Sequence, residues 1–205
     1  MILWGASTNG PAAPPGAYKV RLNVDGRELV KPFTVKRNPL YKDVTDADLR
    51  AQFALAIQIR DKVSEANRAV IDARRIKREA ADRMSKNSDA QLKVMGDKLA
   101  TNLSDVEDDI YQVQNQSGQD PLNFPIKINN RLGNLLRVVN AGDGRPIANA
   151  PVLFREYTSQ LNVQAGRLNK VLITDLAAFN SELKRLGLPV IEGKCPAGQV
   201  CGIVP

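Results

Sequence analysis

There is no histidine among the 205 residues of this chain. That absence removes the usual general base near neutral pH, the commonest zinc ligand, and every Ser-His-Asp or Cys-His arrangement. Chemistry run by carboxylate, lysine or tyrosine is what remains. Aromatic residues are scarce at 5%, which suits helices packed through Leu, Val, Ile and Ala better than an aromatic-rich sandwich. No segment approaches the roughly 20 apolar residues that a membrane-spanning helix needs. The opening Met1-Ile2-Leu3-Trp4-Gly5 has neither a basic stretch nor a long apolar core, so it does not read as a signal peptide. An export signal is expected outside this sequence. There are two cysteines, Cys195 and Cys201. With no third Cys and no His, a zinc site is not expected. Pro196 and Gly198 between them allow a small turn, so a disulfide in an oxidising compartment and a pair of free thiols are both open. Such a small loop would stabilise only its own tail.

What is present is 43% hydrophobic and 25% charged residues with a net charge of +7, enough for one core, or one core plus a small appendage. The positive balance suits an acidic partner such as nucleic acid, anionic lipid or acidic glycan, or it is a solvated basic surface. The chain divides near residue 43. Residues 1–16 are rich in Gly, Pro, Ala, Ser and Asn and read as an irregular lead-in. From Tyr18 to Val24 apolar and polar residues alternate with period two, a half-buried strand. Asp25-Gly26 favours a tight hairpin turn. A second strand passes through Leu29, Val30, Phe33 and Val35, and Pro32 within it argues for an edge or a bulge. A lone hairpin is not stable in water, so these strands are expected to pack on helices, pair with another chain, or complete a sheet.

The remainder reads as helix. Thr45 and Asp48 resemble a capping box with Asp in place of Glu or Gln. Beyond it Leu49, Ala56, Ile59, Val63, Ala66, Val70, Ala73, Ala80 and Met84 form one stripe, with Phe53 and Ile76 beside it. No Gly or Pro interrupts residues 46–86, which predicts one helix on the order of 60 Å long. Ser88 is the expected cap of a second helix over about 89–114, with Leu92, Leu99, Leu103, Val106, Ile110 and Val113 as its seam, Met95 alongside and Gly96 a break. A third, over about 126–140, points Ile128, Leu132, Leu135, Leu136 and Val139 inward. A fourth, over about 151–186, begins with Pro151 in its first turn. It carries Phe154, Tyr157, Leu161, Leu168, Leu172, Phe179, Leu183 and Leu186, and ends at Gly187 with Pro189 beyond. Short connections between such helices predict an up-down bundle. Asn67 and Gln91 lie near seams, where a buried amide fixes register and an exposed one does nothing.

Candidate chemistry is thin. Gly142-Asp143-Gly144 lacks the strand and further glycines of a phosphate cradle and reads as a turn. Glu107, Asp108 and Asp109 lie between the apolar positions Val106 and Ile110, which places at least two of them on the wet face rather than across a cleft. The basic run Arg74, Arg75, Lys77 and Arg78, with Arg68, Arg83 and Lys86 nearby, is interleaved with Glu65, Asp72, Glu79 and Asp82. That reads as a salt-bridged exposed helix, and no aromatic residue within it is available to stack on bases.

Several strings together carry a resemblance. They are Pro14-Pro15-Gly16-Ala17-Tyr18 through Asp25-Gly26, Pro32-Phe33-Thr34-Val35, Asp46-Ala47-Asp48-Leu49, Ile59-Arg60-Asp61, and Asp120-Pro121 through Asn129-Asn130. The chain resembles, over about residues 3–190, the C-terminal region of bacterial proteins with sortilin-like (BNR-type) β-propellers, a family often labelled glycosyl hydrolases. The resemblance implies that the hairpin is the last pair of strands of an immunoglobulin-like domain followed by a terminal helical region. It transfers no catalytic residue, because any propeller site lies outside this sequence.

The expectation is a mainly α protein, an antiparallel four-helix bundle over 44–190. Irregular lead-in and β-hairpin precede it over 1–43, and an irregular tail with the candidate Cys195–Cys201 disulfide follows over 191–205. No catalytic, cofactor-binding or metal-binding residue is assigned. The expected role is a structural or protein-interaction module of a larger extracytoplasmic protein. Its partner would be that protein's propeller, another protein, or a second copy meeting the hairpin at Tyr18, Val20, Leu22, Val24, Phe33 and Val35. The alternatives are a part of a glycoside-hydrolase-like enzyme whose active site lies elsewhere, and a basic helical nucleic-acid-binding module on Arg68, Arg74, Arg75, Lys77 and Arg78.

Overall fold

Forty consecutive residues without Gly or Pro, Asp46–Ser85, fold into a single helix, α1, in the computed structural model, which describes residues 4–6 and 9–194. Its start is a reciprocal cap. The Asp48 N–H donates to the Thr45 hydroxyl and the Thr45 N–H donates to the Asp48 carboxylate, each at 3.1 Å. The Thr45 hydroxyl, which donates to the Asp48 carboxylate at 2.7 Å, then the Thr45 N–H and Arg145 hold Asp48 down at a pKa of about 2. Along its length Leu49, Ala56, Ile59, Ala66, Val70, Ala73, Ile76 and Ala80 are buried.

Helix α2, Ala90–Ile110, is capped by Asp89 rather than Ser88. The Asp89 carboxylate accepts from the N–H groups of Gln91 and Leu92, both at 2.9 Å. It ends four residues earlier than the periodicity predicts, because Tyr111 turns extended and Gln112 donates its amide to the Pro125 carbonyl. Val113, the last expected seam residue, is therefore exposed. Helix α3 spans Ile128–Val139 and α4 spans Ala150–Val171 with Pro151 in its first turn. A single π turn, Leu172–Leu176, joins α4 to α5, Ala177–Arg185, without a break. Gly187, at φ 69°, closes the rod. Its N–H donates to Lys184 and that of Leu188 to Leu183, a Schellman motif.

The helices pack as three rows, the middle one antiparallel to both outer rows, which run parallel to each other. Going down α1, Gln52 reaches the carbonyls of Val139 and Gly142, Asn67 meets Asn129, Arg74 and Lys77 meet Glu107, and Met84 meets Gly96. So α3 and α2 lie end to end along α1. The α4–α5 rod runs back beside both, with Arg167 on Asp109, Asp175 on Asn102 and Arg185 on Asp89. Residues 188–194 strap the rows: Arg83 donates to the Pro189 carbonyl, Arg75 to that of Glu192, and Asn180 both donates to and accepts from Ile191. The lead-in is tied down where the Asn130 amide brackets the backbone N–H and C=O of Trp4. Strands β1, Gly16–Val24, and β2, Arg27–Val35, form the hairpin, and none of their Cα atoms lies within 8 Å of a helix Cα. Cys195 and Cys201 lie outside the described residues.

Gly96 marks a close approach. A Cβ there would overlap the Met84 thioether and stand 3.0 Å from the buried Phe179 ring. Met84 is half-exposed and can swing aside; the ring cannot. Gly96→Val is expected to cost about 1–3 kcal/mol despite removing a helical glycine. The loss would show as a lower denaturant midpoint, and an unchanged midpoint would mean the α2–α5 contact has slack.

Candidate functional site

The hairpin is built by its turn. Asp25 and Gly26 both have positive φ, 50° and 78°, the type I′ geometry whose twist matches that of the strands. The register then follows: Val24 faces Arg27, Leu22 faces Leu29, Val20 faces Lys31, Tyr18 faces Phe33 and Gly16 faces Val35. Side chains alternate across a strand, so Tyr18, Val20, Leu22, Val24, Phe33 and Val35 fall on one face. The structure adds Leu29 to them, which period-two reading of β2 alone places but does not single out. Lys31 and Arg27 are the only charged residues on that face. The Tyr18 and Phe33 rings stack at 5.8 Å, and the Tyr18 hydroxyl donates to the Pro14 carbonyl at 2.7 Å. Val20, Leu22, Val24, Leu29 and Phe33 are each between 49% and 61% exposed. The opposite face carries Lys19, Arg21, Asn23, Glu28 and Thr34, with Arg21 and Glu28 paired at 3.5 Å. Pro32 neither ends the strand nor makes a bulge; it pairs in register with Lys19.

The basic run does not form one exposed face. Successive residues turn by about 100° around a helix, and α1 is flanked on two sides, so the run is divided between neighbours. Arg74 and Lys77 converge on Glu107 of α2, with Lys77 Nζ 2.6 Å from Glu107 Oε2 and 2.9 Å from Ser104 Oγ, and Arg74 over the Tyr111 ring at 4.8 Å. Arg75 is buried on another side, pairing with Glu79 and the Glu192 carbonyl. Only Arg68 and Arg78 of the five are exposed. Glu107 is correspondingly buried, at 3% exposure, while Asp108 is exposed and Asp109 pairs with Arg167. Clamped by two cations, Glu107 is an interhelical lock rather than half of an acid/base pair. Of the two seam amides, Asn67 accepts from Asn129 and Gln91 is exposed.

Two hollows remain. A groove of about 480 Å³ between α1 and α4 has Ala69, Leu168 and Leu172 as its floor and Asp61, Glu65 and Lys194 at its rim. A polar cleft of about 500 Å³ lies beside the π turn, where Asp175 accepts from Lys98 at 2.9 Å and from Asn102 at 2.7 Å. Burial raises the Asp175 carboxyl, but these bonds outweigh it and hold the pKa below the usual range. Among the described residues no three His, Cys, Asp or Glu side chains gather closely enough to hold a metal ion, and no helix is long and apolar enough to cross a membrane.

Glu107→Gln leaves Arg74 and Lys77 facing a neutral amide. Both cations reach water in part, so the expected cost, about 2–3 kcal/mol, lies below that of breaking a fully buried pair. Chemical denaturation measures it, and a loss below about 0.5 kcal/mol, the ordinary surface range, would contradict the lock. Comparison with protein families, curated proteins and solved structures finds no match for this chain.

Proposed function

We propose that this chain is a non-catalytic interaction and scaffolding module, in which the helical bundle is a rigid post and the hairpin is the element that takes a partner. One observation carries the reading. The apolar face formed by Tyr18, Val20, Leu22, Val24, Leu29 and Phe33 is covered by no helix among the described residues. A two-stranded ribbon is marginal alone, and each large apolar side chain left in water forgoes about 1.5–3 kcal/mol of burial. A partner that covers the face recovers that energy.

The resemblance to the C-terminal region of sortilin-like propeller proteins supplies the cover: the remaining strands of an immunoglobulin-like sandwich in the propeller-bearing part of a larger protein. The Tyr18–Pro14 hydrogen bond supports this reading. A tyrosine at the start of a strand bonding back to backbone a few residues upstream is the tyrosine corner of such sandwiches. On this account the module works outside the cytoplasm, at the surface, in the periplasm or secreted, and any glycan chemistry belongs to the propeller. The charges on α1 support scaffolding over nucleic-acid binding, because Arg74, Arg75 and Lys77 are already engaged within the bundle.

The test is site-specific photo-crosslinking in the producing cell. A photoreactive residue at Leu22 is expected to capture one defined polypeptide, or another part of the same polypeptide, and one at exposed Val94 on α2 is expected to capture none. Phe33→Ser should abolish the Leu22 product while shifting the unfolding of the bundle by less than about 0.5 kcal/mol. Equal or absent capture at both positions would overturn the reading.

A further inference from the structure

We infer that the partner adds a β-strand to the free edge of β1, not of β2, and that this strand alternates apolar residues with acidic ones set against Lys19 and Arg21. The inference rests on the hairpin being the docking element.

The edge follows from the register. In a two-residue hairpin the pair that flanks the turn, Val24 and Arg27, is hydrogen-bonded, and bonded and non-bonded pairs then alternate. The ribbon therefore uses the backbone groups of Leu22, Val20 and Tyr18 and their partners internally. Ala17, Lys19, Arg21 and Asn23 on β1, and Glu28, Val30, Pro32 and Thr34 on β2, turn their backbone groups outward. The middle of the β2 row is Pro32, which has no N–H, and its ring stands on that edge. This is why Pro32 is accommodated without a bulge, and it blocks a strand from adding there. The β1 row has four unblocked N–H groups. A strand bound to them continues the apolar face beside Tyr18, Val20 and Leu22.

Charge decides the occupant. Residues of the incoming strand that pair with Lys19 and Arg21 share their face, where opposite charges stabilise and like charges destabilise. A second copy is disfavoured by the same rule. Two-fold antiparallel pairing of β1 with β1 matches the outward residues, in every register of good overlap, by placing Lys19 on Lys19, Lys19 on Arg21, or Arg21 on Arg21. Face-to-face stacking of two copies would bring together Arg27 and Lys31, the only charges on the apolar face. The complementary partner is a heterologous, acidic strand.

The experiment titrates the ¹⁵N-labelled chain with a capped nine-residue peptide alternating Val and Glu, and with its Val/Lys counterpart. The Val/Glu peptide is expected to shift and protect the amides of Ala17, Lys19, Arg21 and Asn23, leave Val30 and Thr34 unchanged, and bind about tenfold tighter than the Val/Lys peptide. Lys19→Pro, which removes an outward N–H without touching the ribbon's own bonds, should abolish binding. Protection on β2, equal binding of the two peptides, or full binding by Lys19→Pro would overturn the edge assignment. So would a concentration-dependent dimer with β1 protected, or binding to phosphatidylglycerol vesicles with no peptide preference. Leu22→Ser separates the two levels. If it abolishes binding and Lys19→Pro does not, the docking reading stands and the edge assignment falls; if neither changes binding, both fall.

Discussion

The apolar stripe on α1 is longer than any one partner can cover. Its 40 residues rise about 60 Å, whereas α2 has 21 residues and α3 has 12. Covering the stripe needs both, set end to end, and that requirement places the 111–127 connection at the middle of the bundle. The third row then has to match two helices with one rod. The π turn at Leu172–Leu176 does this: the buried positions step from Val171 to Leu176, five residues rather than three or four, before ordinary spacing resumes at Phe179 and Leu183. One extra residue resets the inward face of α5 against α2.

Polar locks between the rows fix how far each slides along its neighbour. Glu107 is held from α1 by Arg74 and Lys77, Asn67 meets Asn129, and Asp175 is held from α2 by Lys98 and Asn102. At the far end Arg185 bridges Glu182 and Asp89, and those carboxylates push its pKa up further. A sliding bundle of Leu, Ile and Ala would tolerate several registers; buried charge that finds its partner in only one does not. These contacts close the bundle, whereas the apolar face of the hairpin stays open, a contrast that supports the proposal that binding falls on the strands.

Much of this was legible beforehand. Periodicity places all four helices, and it gives most of the apolar inward residues of α1 and those of α3 because an unbroken amphipathic stripe leaves little choice of face. The Asp25-Gly26 turn and the alternation around it give the hairpin. What escaped has physical causes. Ser88 and Asp89 are both good caps, and only the backbone path selects Asp89. The basic run looked continuous because one-dimensional spacing does not say that α1 has neighbours on two sides. Which of Glu107, Asp108 and Asp109 turns inward is not legible, because the partners of Glu107 lie about thirty residues away on another helix. The three-row packing follows from lengths that are visible in sequence, but the end-to-end placement of α2 and α3 depends on a loop with no regular pattern. Pro32 is visible in the sequence, but its meaning needs the register.

On the proposed function the bundle is complete without the hairpin and the hairpin is incomplete without a partner. Amide hydrogen exchange on the isolated, monomeric chain tests this most directly. Slow exchange, near the global unfolding limit, is expected for core amides such as those of Ile59 and Leu99. The internally bonded amides of Val20 and Leu22 should exchange orders of magnitude faster. Protection of Val20 and Leu22 equal to that of the bundle core, in the monomer, would contradict it.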